Sequence, residues 1–157
     1  MNQTPRSVAM AVLYQDRHFL MQLRDDIEGI LYPGKWGLFG GHLEPGETPE
    51  ASLIREVKEE INHTLDKATL FKCYADSNAS RYIFFAPLKV SLTALELHEG
   101  WDLDLVPLSS IRLGRHYSRK AGEERDLGGI HRRILLDFTV FAEKNLSDFN
   151  LQKTYSI

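Results

Sequence analysis

Between Gly40 and His63 the chain reads GGHLEPGETPEASLIREVKEEINH, and five of its glutamates, Glu44, Glu47, Glu56, Glu59 and Glu60, fall within seventeen residues. At roughly 100° per residue, a helix over this stretch places Glu56, Glu59 and Glu60 within an arc of about 100°. Ile54, Val57 and Ile61 fall on a second arc, centred about 140° away. One face can therefore pack inward while the other gathers three carboxylates. Carboxylates so close repel one another and raise one another's pKa. A hard divalent cation removes that penalty, because carboxylate oxygen is its preferred donor. The plain alternative is a solvated acidic helix face.

The spacing narrows the choice. Gly41, five residues, Glu47, seven residues, then Arg55-Glu56-Val57-x-Glu59-Glu60 resembles the signature of the Nudix (MutT-like) hydrolases, G-x5-E-x7-R-E-U-x-E-E-x-G-U with U a bulky aliphatic residue. Every charged position matches. The second glycine is replaced by Asn62 and the last aliphatic by His63. Asparagine enters the left-handed backbone region more readily than most residues, so Asn62 can end the helix as glycine would. Trp36 to Gly40 also looks like the strand that enters this box.

The resemblance implies an α/β fold, an α/β/α sandwich around a mixed sheet, and a single domain over residues 1–157. It implies Mg2+, with Mn2+ as the alternative, held by the Gly40 carbonyl and by Glu56, Glu59 and Glu60. An acid further along completes such a site in many members; Glu99 is the candidate and Glu96 the reserve. Glu56 is the first candidate for general base, Glu59 works beside it, and Arg55 clamps a carboxylate in one orientation. Glu47 supports the metal shell or its loop. The implied reaction is hydrolysis of a diphosphate linkage in a nucleoside diphosphate joined to another group.

Several elements must position these groups. Ser7 to Tyr14 is an almost unbroken apolar run, which predicts a central strand buried on both faces. A turn at Gln15-Asp16-Arg17 and a returning strand from His18 to Leu23 complete a hairpin. Ile27 to Lys35 is a loop, and Trp36 to Gly41 a short strand ending in a glycine pair. Thr48 as N-cap, Pro49 in the first turn and the acid Glu50 start the helix, which runs to about Ile61. Lys67 to Asp76 and Ser80 to Lys89 read as two strands around a turn, with Tyr82, Phe84 and Phe85 mostly core. Ser91 to Leu97 is a further strand or an extended segment. Leu103 to Leu108 is another apolar stretch, and Pro107-Leu108-Ser109-Ser110-Ile111 resembles a turn that often follows it in the family. Ile130, Ile134, Leu135, Phe138, Phe141 and Ala142 recur at helical spacing and predict a second major helix. His131, in its first turn, reads as a surface residue, and residues 146–157 as a loose or partner-packed tail.

Positive charge near the acids is sparse. Arg24 could reach a substrate phosphate or the carboxylate helix, or form a surface ion pair. Arg112 to Lys120 is a basic segment whose Arg115 could approach a diphosphate. Glu123, Glu124 and Asp126 dilute its charge, so a solvated loop is the competing reading. The 157 residues carry a net charge of −3, which gives no general attraction to nucleic acid or to an anionic membrane. A small nucleotide is the expected partner, without a stable nucleic-acid partner or a membrane, and a homodimer is left open. The single cysteine, Cys73, cannot close an intrachain disulfide. With no signal-like N-terminus and no apolar run of membrane length, a cytoplasmic location is expected. Cys73 itself reads as a small core residue.

A nucleoside triphosphate, ADP-ribose, a nucleotide sugar and a dinucleoside polyphosphate all remain open as substrates, since loops outside the box choose the nucleoside. A nucleotide-sensing module without turnover is the alternative from another class. A calcium-binding acidic helix lacks the alternating loop acids of an EF-hand.

Overall fold

The computed structural model describes residues 6–150. The apolar run becomes β1 (Arg6–Gln15), followed by β2 (His18–Leu23), β3 (Trp36–Gly37), β4 (Phe39–His42), α1 (Pro49–Ile61), β5 (Thr69–Ala75) and β6 (Ala79–Pro87). Then come β7 (Asp102–Pro107), α2 (Leu108–Leu113), β8 (Arg115–Ser118), β9 (Glu123–Asp126) and α3 (Gly129–Asn145). Seven strands form one mixed sheet in the order β3-β2-β1-β6-β5, with β4 also pairing β1 and β7 pairing β2. β1 runs parallel to β6 and antiparallel to β2 and β4.

The alternation along β1 sorts its side chains between two cores. Met10, Val12 and Tyr14 face α3, where Phe19, Ile134, Leu135 and Phe138 are buried. Ala9, Ala11 and Leu13 face α1, which presents Leu53, Val57 and Ile61. The two alanines leave room for α1 to approach the sheet, and each of those larger aliphatics contributes about 1.5–3 kcal/mol by burial. The result is the expected α/β/α sandwich.

The expected strand from Trp36 to Gly41 is split at Leu38. β3 pairs with β2, whereas β4 pairs with β1, so the chain changes partner in mid-course. The Leu38 N–H, freed from the ladder, donates to the ring of His131 at 3.0 Å. This splitting places the glycine pair beside the centre of the sheet.

Five other expectations change. Residues 91–97 form a single 3-10 turn at Leu92–Ala94. The chain after it hydrogen-bonds the end of α1, through Glu96 N–H to Ile61 O at 3.1 Å and His98 N–H to Glu60 O at 2.8 Å. These bonds satisfy carbonyls that a helix end leaves open. The basic segment is α2 and a β8–β9 hairpin rather than a solvated loop. The hairpin is tied down by His116, which contacts Ser110 Oγ at 3.1 Å and Asp104 Oδ2 at 2.7 Å. The start of the expected loose tail is packed: Phe149 is buried against Tyr14, Phe19 and Phe138, while 151–157 lie outside the described residues. Cys73 is exposed. It lies on β5, the last strand of the sheet, on the face opposite Tyr74; α3 covers the Tyr74 face, whereas α1 packs over β1, β4 and β6. His131 is buried, not on the surface.

Candidate active-site cleft

Glutamates from α1 and glycines from β4 meet because α1 starts and ends cleanly. Thr48 is extended and its hydroxyl accepts from the Ala51 N–H at 3.1 Å, with Pro49 next. Asn62 closes the helix at φ 52°, the left-handed conformation expected of it.

Helical arithmetic grouped Glu60 with Glu56 and Glu59 on the face away from the apolar one, but the structure buries it. Glu60 is 4% exposed and lies on the same side as Leu53, Val57 and Ile61. It bridges β2 and β4, the two strands that pair with successive stretches of β1. One oxygen accepts from the Gly40 N–H at 3.3 Å, the other from Gln22 Nε2 at 3.2 Å. Burial, followed by the charge and contact of Glu56 and the charge of Glu99, pushes its pKa up to about 9. Gln22 carries no motif, and its role emerges only once β2 stands opposite α1.

Arg55 organises the remaining acids. Its Nε and Nη2 donate to Glu47 at 2.7 and 2.9 Å, a two-pronged pair. Its Nη1 donates to Glu56 at 2.9 Å and to Glu59 at 3.3 Å, with Glu44 at 3.8 Å. The guanidinium, with the Glu44 amide adding a donor, holds Glu47 down to about 2, and the acids in turn raise Arg55 above its ordinary value. The sequence implies that Arg55 orients a carboxylate without saying which; the closest are those of Glu47 and Glu56.

Gly41 leaves the space that Glu56 occupies: a Cβ there would lie 2.6 Å from its carboxyl carbon. Gly40 sits at φ 146° against β1, with Ala9 O only 2.0 Å from where a Cβ would be. These acids border a cleft of about 1320 Å³ lined by Gly40, Gly41, Glu44, Arg55, Glu56, Glu60 and Glu99. Its other walls include Arg6, Arg24, Arg81, Tyr32, Leu38 and His131.

The residues singled out in the sequence separate accordingly. Gly40, Arg55, Glu56, Glu60, Glu99 and Arg24 line the cleft. Glu59 is exposed on its margin, reached by Arg55. Glu96 faces outward to His98 at 3.0 Å. Arg115 lies on β8 with Glu124 at 3.7 Å and is not among the cleft-lining residues. Arg24 is held by its own loop, its Nε donating to Leu31 O at 2.6 Å.

The donor set suits a divalent cation. Burial, followed by the nearby Glu56 and the charge of Glu99, favours the protonated form of Glu60. A cation among such hard oxygens would take over the role of that proton. Among the described residues no three acids or imidazoles converge on one point, so water or substrate oxygens would complete the shell.

His131 reads from the sequence as a surface residue, and no spacing rule could have placed it in the cleft. Its ring fits because Gly37 and Gly128 lack side chains: a Cβ on either would lie 3.3 or 2.7 Å from it. Burial first, then the charges of Arg24 and Arg81, push its pKa down to about 4. The unfolded chain therefore takes up a proton near pH 6.5 that the folded protein refuses until about pH 4. The stability is fully present above the unfolded value and is lost as pH falls through that window, by up to ~3 kcal/mol. Urea midpoints at pH 7 and pH 4.5 should therefore converge more closely for His131→Asn than for the wild type. An equal pH dependence in the two proteins would contradict this.

A NUDIX domain model matches residues 4–125. The nucleoside triphosphatase NudI of Enterobacter sp. (strain 638) is 34% identical over 120 residues, 68% of this chain and 84% of that protein. For NudI of Salmonella agona (strain SL483) the identity is 38% over 60 residues, 38% of this chain and only 42% of the relative. A NUDIX hydrolase from Nitrosomonas europaea has the same fold, with a TM-score of 0.70 at 19% identity over 99% of this chain and 78% of that one. A MutT NUDIX hydrolase from Burkholderia pseudomallei superposes at 0.66 with 22% identity, covering 86% of this chain and 98% of that one. The domain match takes in the glycine pair, the glutamate helix and the strands that bring them together, and on that ground the chain belongs to the Nudix hydrolase family, enzymes of phosphoric anhydride bonds.

Proposed function

We propose that this protein hydrolyses a diphosphate linkage in a nucleoside diphosphate joined to a further group, with a nucleoside triphosphate as the first substrate to test. The observation that carries the reading is the Glu56–Glu60 pair beside Gly40, at the wall of a cleft large enough for a nucleotide. The naming of its relatives as nucleoside triphosphatases supports the choice of substrate. Mg2+, or Mn2+, when bound there, supplies charge neutralisation of phosphate oxygens and a water of lowered pKa.

The residues divide the remaining work. Glu56, Glu60 and Glu99, with the Gly40 carbonyl, offer the oxygen donors, and Glu59 at the margin is a further one. Glu56 takes the proton from the attacking water. Arg55 keeps Glu56 aimed while Glu47 keeps Arg55 aimed, which limits reorganisation during the reaction. Arg24 offers its free nitrogens to a phosphate oxygen.

A panel of nucleoside triphosphates, ADP-ribose, nucleotide sugars and dinucleoside polyphosphates, incubated with Mg2+ and read by product mass, tests this. Release of a nucleoside monophosphate from at least one of them is expected. Tight nucleotide binding with every substrate returned intact would favour a sensing module and sink the hydrolase reading.

A further inference from the structure

His131 is a buried titratable group that the proposed hydrolysis does not use. It is 6% exposed and lines the cleft beside Tyr32, Leu38 and Ile130. The Leu38 N–H donates to Nδ1 at 3.0 Å, so the neutral ring carries its proton on Nε2. Among the described residues, Nε2 is not one of the unpartnered polar atoms sealed from solvent, and no side-chain or backbone acceptor meets it. Its N–H is therefore open to the cleft.

The ring is also fixed in place. Gly128 packs against Cδ2 and Gly37 against Cε1, and the Tyr32 ring stands edge-on at 5.2 Å. Rotating the imidazole would break the Leu38 bond. A rigid, uncharged donor on a wall with Met10, Leu31, Tyr32, Leu38 and Ile130 is poorly matched to a polyanion. Arg24 and Arg81, in the same cleft, suit phosphate better. A flat heteroaromatic ring with one acceptor on its edge matches the apolar wall and its single N–H.

We infer that the His131 Nε2–H hydrogen-bonds the base of the nucleotide and selects bases with a keto oxygen over those with an exocyclic amino group. The inference rests on the nucleotide reading of the cleft. A keto oxygen accepts from Nε2–H. An amino group in its place sets donor against donor and leaves both buried and unpaired, which sites built to hydrogen-bond reject strongly. Burial keeps the ring neutral at physiological pH, so the preference should hold across the neutral range.

The test is equilibrium binding by calorimetry to the intact protein without added metal, comparing inosine with adenosine monophosphate and uridine with cytidine monophosphate. Each keto nucleotide should bind at least about tenfold tighter than its amino partner. His131→Asn places an amide oxygen where Nδ1 stood, keeping the Leu38 acceptor but offering no donor at Nε2; the preference should shrink to about twofold or less. His131→Gln puts its amide nitrogen at the Nε2 position and should retain the preference. In the wild type, the NMR signal of the Nε2–H should shift on adding inosine monophosphate and not with adenosine monophosphate. That measurement decides the matter even if neither variant folds. Equal or inverted affinities, a preference undiminished in His131→Asn, or no binding of either nucleotide would overturn the inference. Hydrolysis of inosine and adenosine triphosphates with Mg2+ is run alongside. Turnover without base preference overturns only the role of His131. A keto preference in binding with no turnover overturns only the hydrolase reading.

Discussion

Glu56→Gln should lower kcat by ~10²–10⁴-fold, the range that a positioned general base contributes, while the protein stays folded. The amide keeps an oxygen for Arg55 Nη1, which donates to Glu56 at 2.9 Å. It also keeps the shape that fills the space above Gly41. What it removes is the basic oxygen and one unit of negative charge. Circular dichroism and the urea midpoint should change little, and KM for the best substrate of the panel should move less than kcat. A variant retaining most of its kcat at saturating Mg2+ would remove Glu56 from the role of base.

The glycine pair should split into one substitution that breaks the fold and one that breaks only the site. In Gly40→Ala the new methyl would lie 2.0 Å from Ala9 O and 2.8 Å from Met10 Cα, at φ 146°. Both obstacles are backbone of the central strand, which cannot yield without parting β4 from β1. The cost should reach at least ~4 kcal/mol, the range reserved for strained backbone and core overpacking. In Gly41→Ala the methyl meets instead the carboxyl end of Glu56, at 2.6 Å. A side-chain end can swing away, so this protein should fold with a smaller loss. Its Glu56 would then be displaced by about an ångström, and misplacement on that scale lowers turnover by ~10²-fold. Urea denaturation ranks the stabilities, and kcat separates the second effect from the first. A Gly40→Ala protein as stable as the wild type, or a fully active Gly41→Ala, would contradict the geometry.

Much of this is legible in the sequence alone. Strand β1 announces itself as an apolar run, because a strand covered on both faces has no polar side to display. Helix α1 announces its ends through Thr48, Pro49 and Asn62, because capping is local chemistry. Other features were illegible for an equally physical reason. Whether Glu60 is solvated depends on what stands opposite it, and its neighbours Gln22 and Gly40 are 38 and 20 residues away. His131 reads as a surface residue until Gly37 and Gly128 close around its ring. Cys73 reads as core until β5 proves to be an edge strand covered by α3 on the opposite face only.

The order of the residues by itself determined the two helices, the main strands, the run of acids and the arginine among them, because capping, periodicity and spacing act over a few residues. Only the tertiary structure decided which carboxylate is buried, which arginines share its cleft and which histidine turns an open N–H toward it. Those outcomes depend on desolvation and on contacts between segments far apart in the chain. No stretch of sequence contains them until the sheet has drawn the segments together.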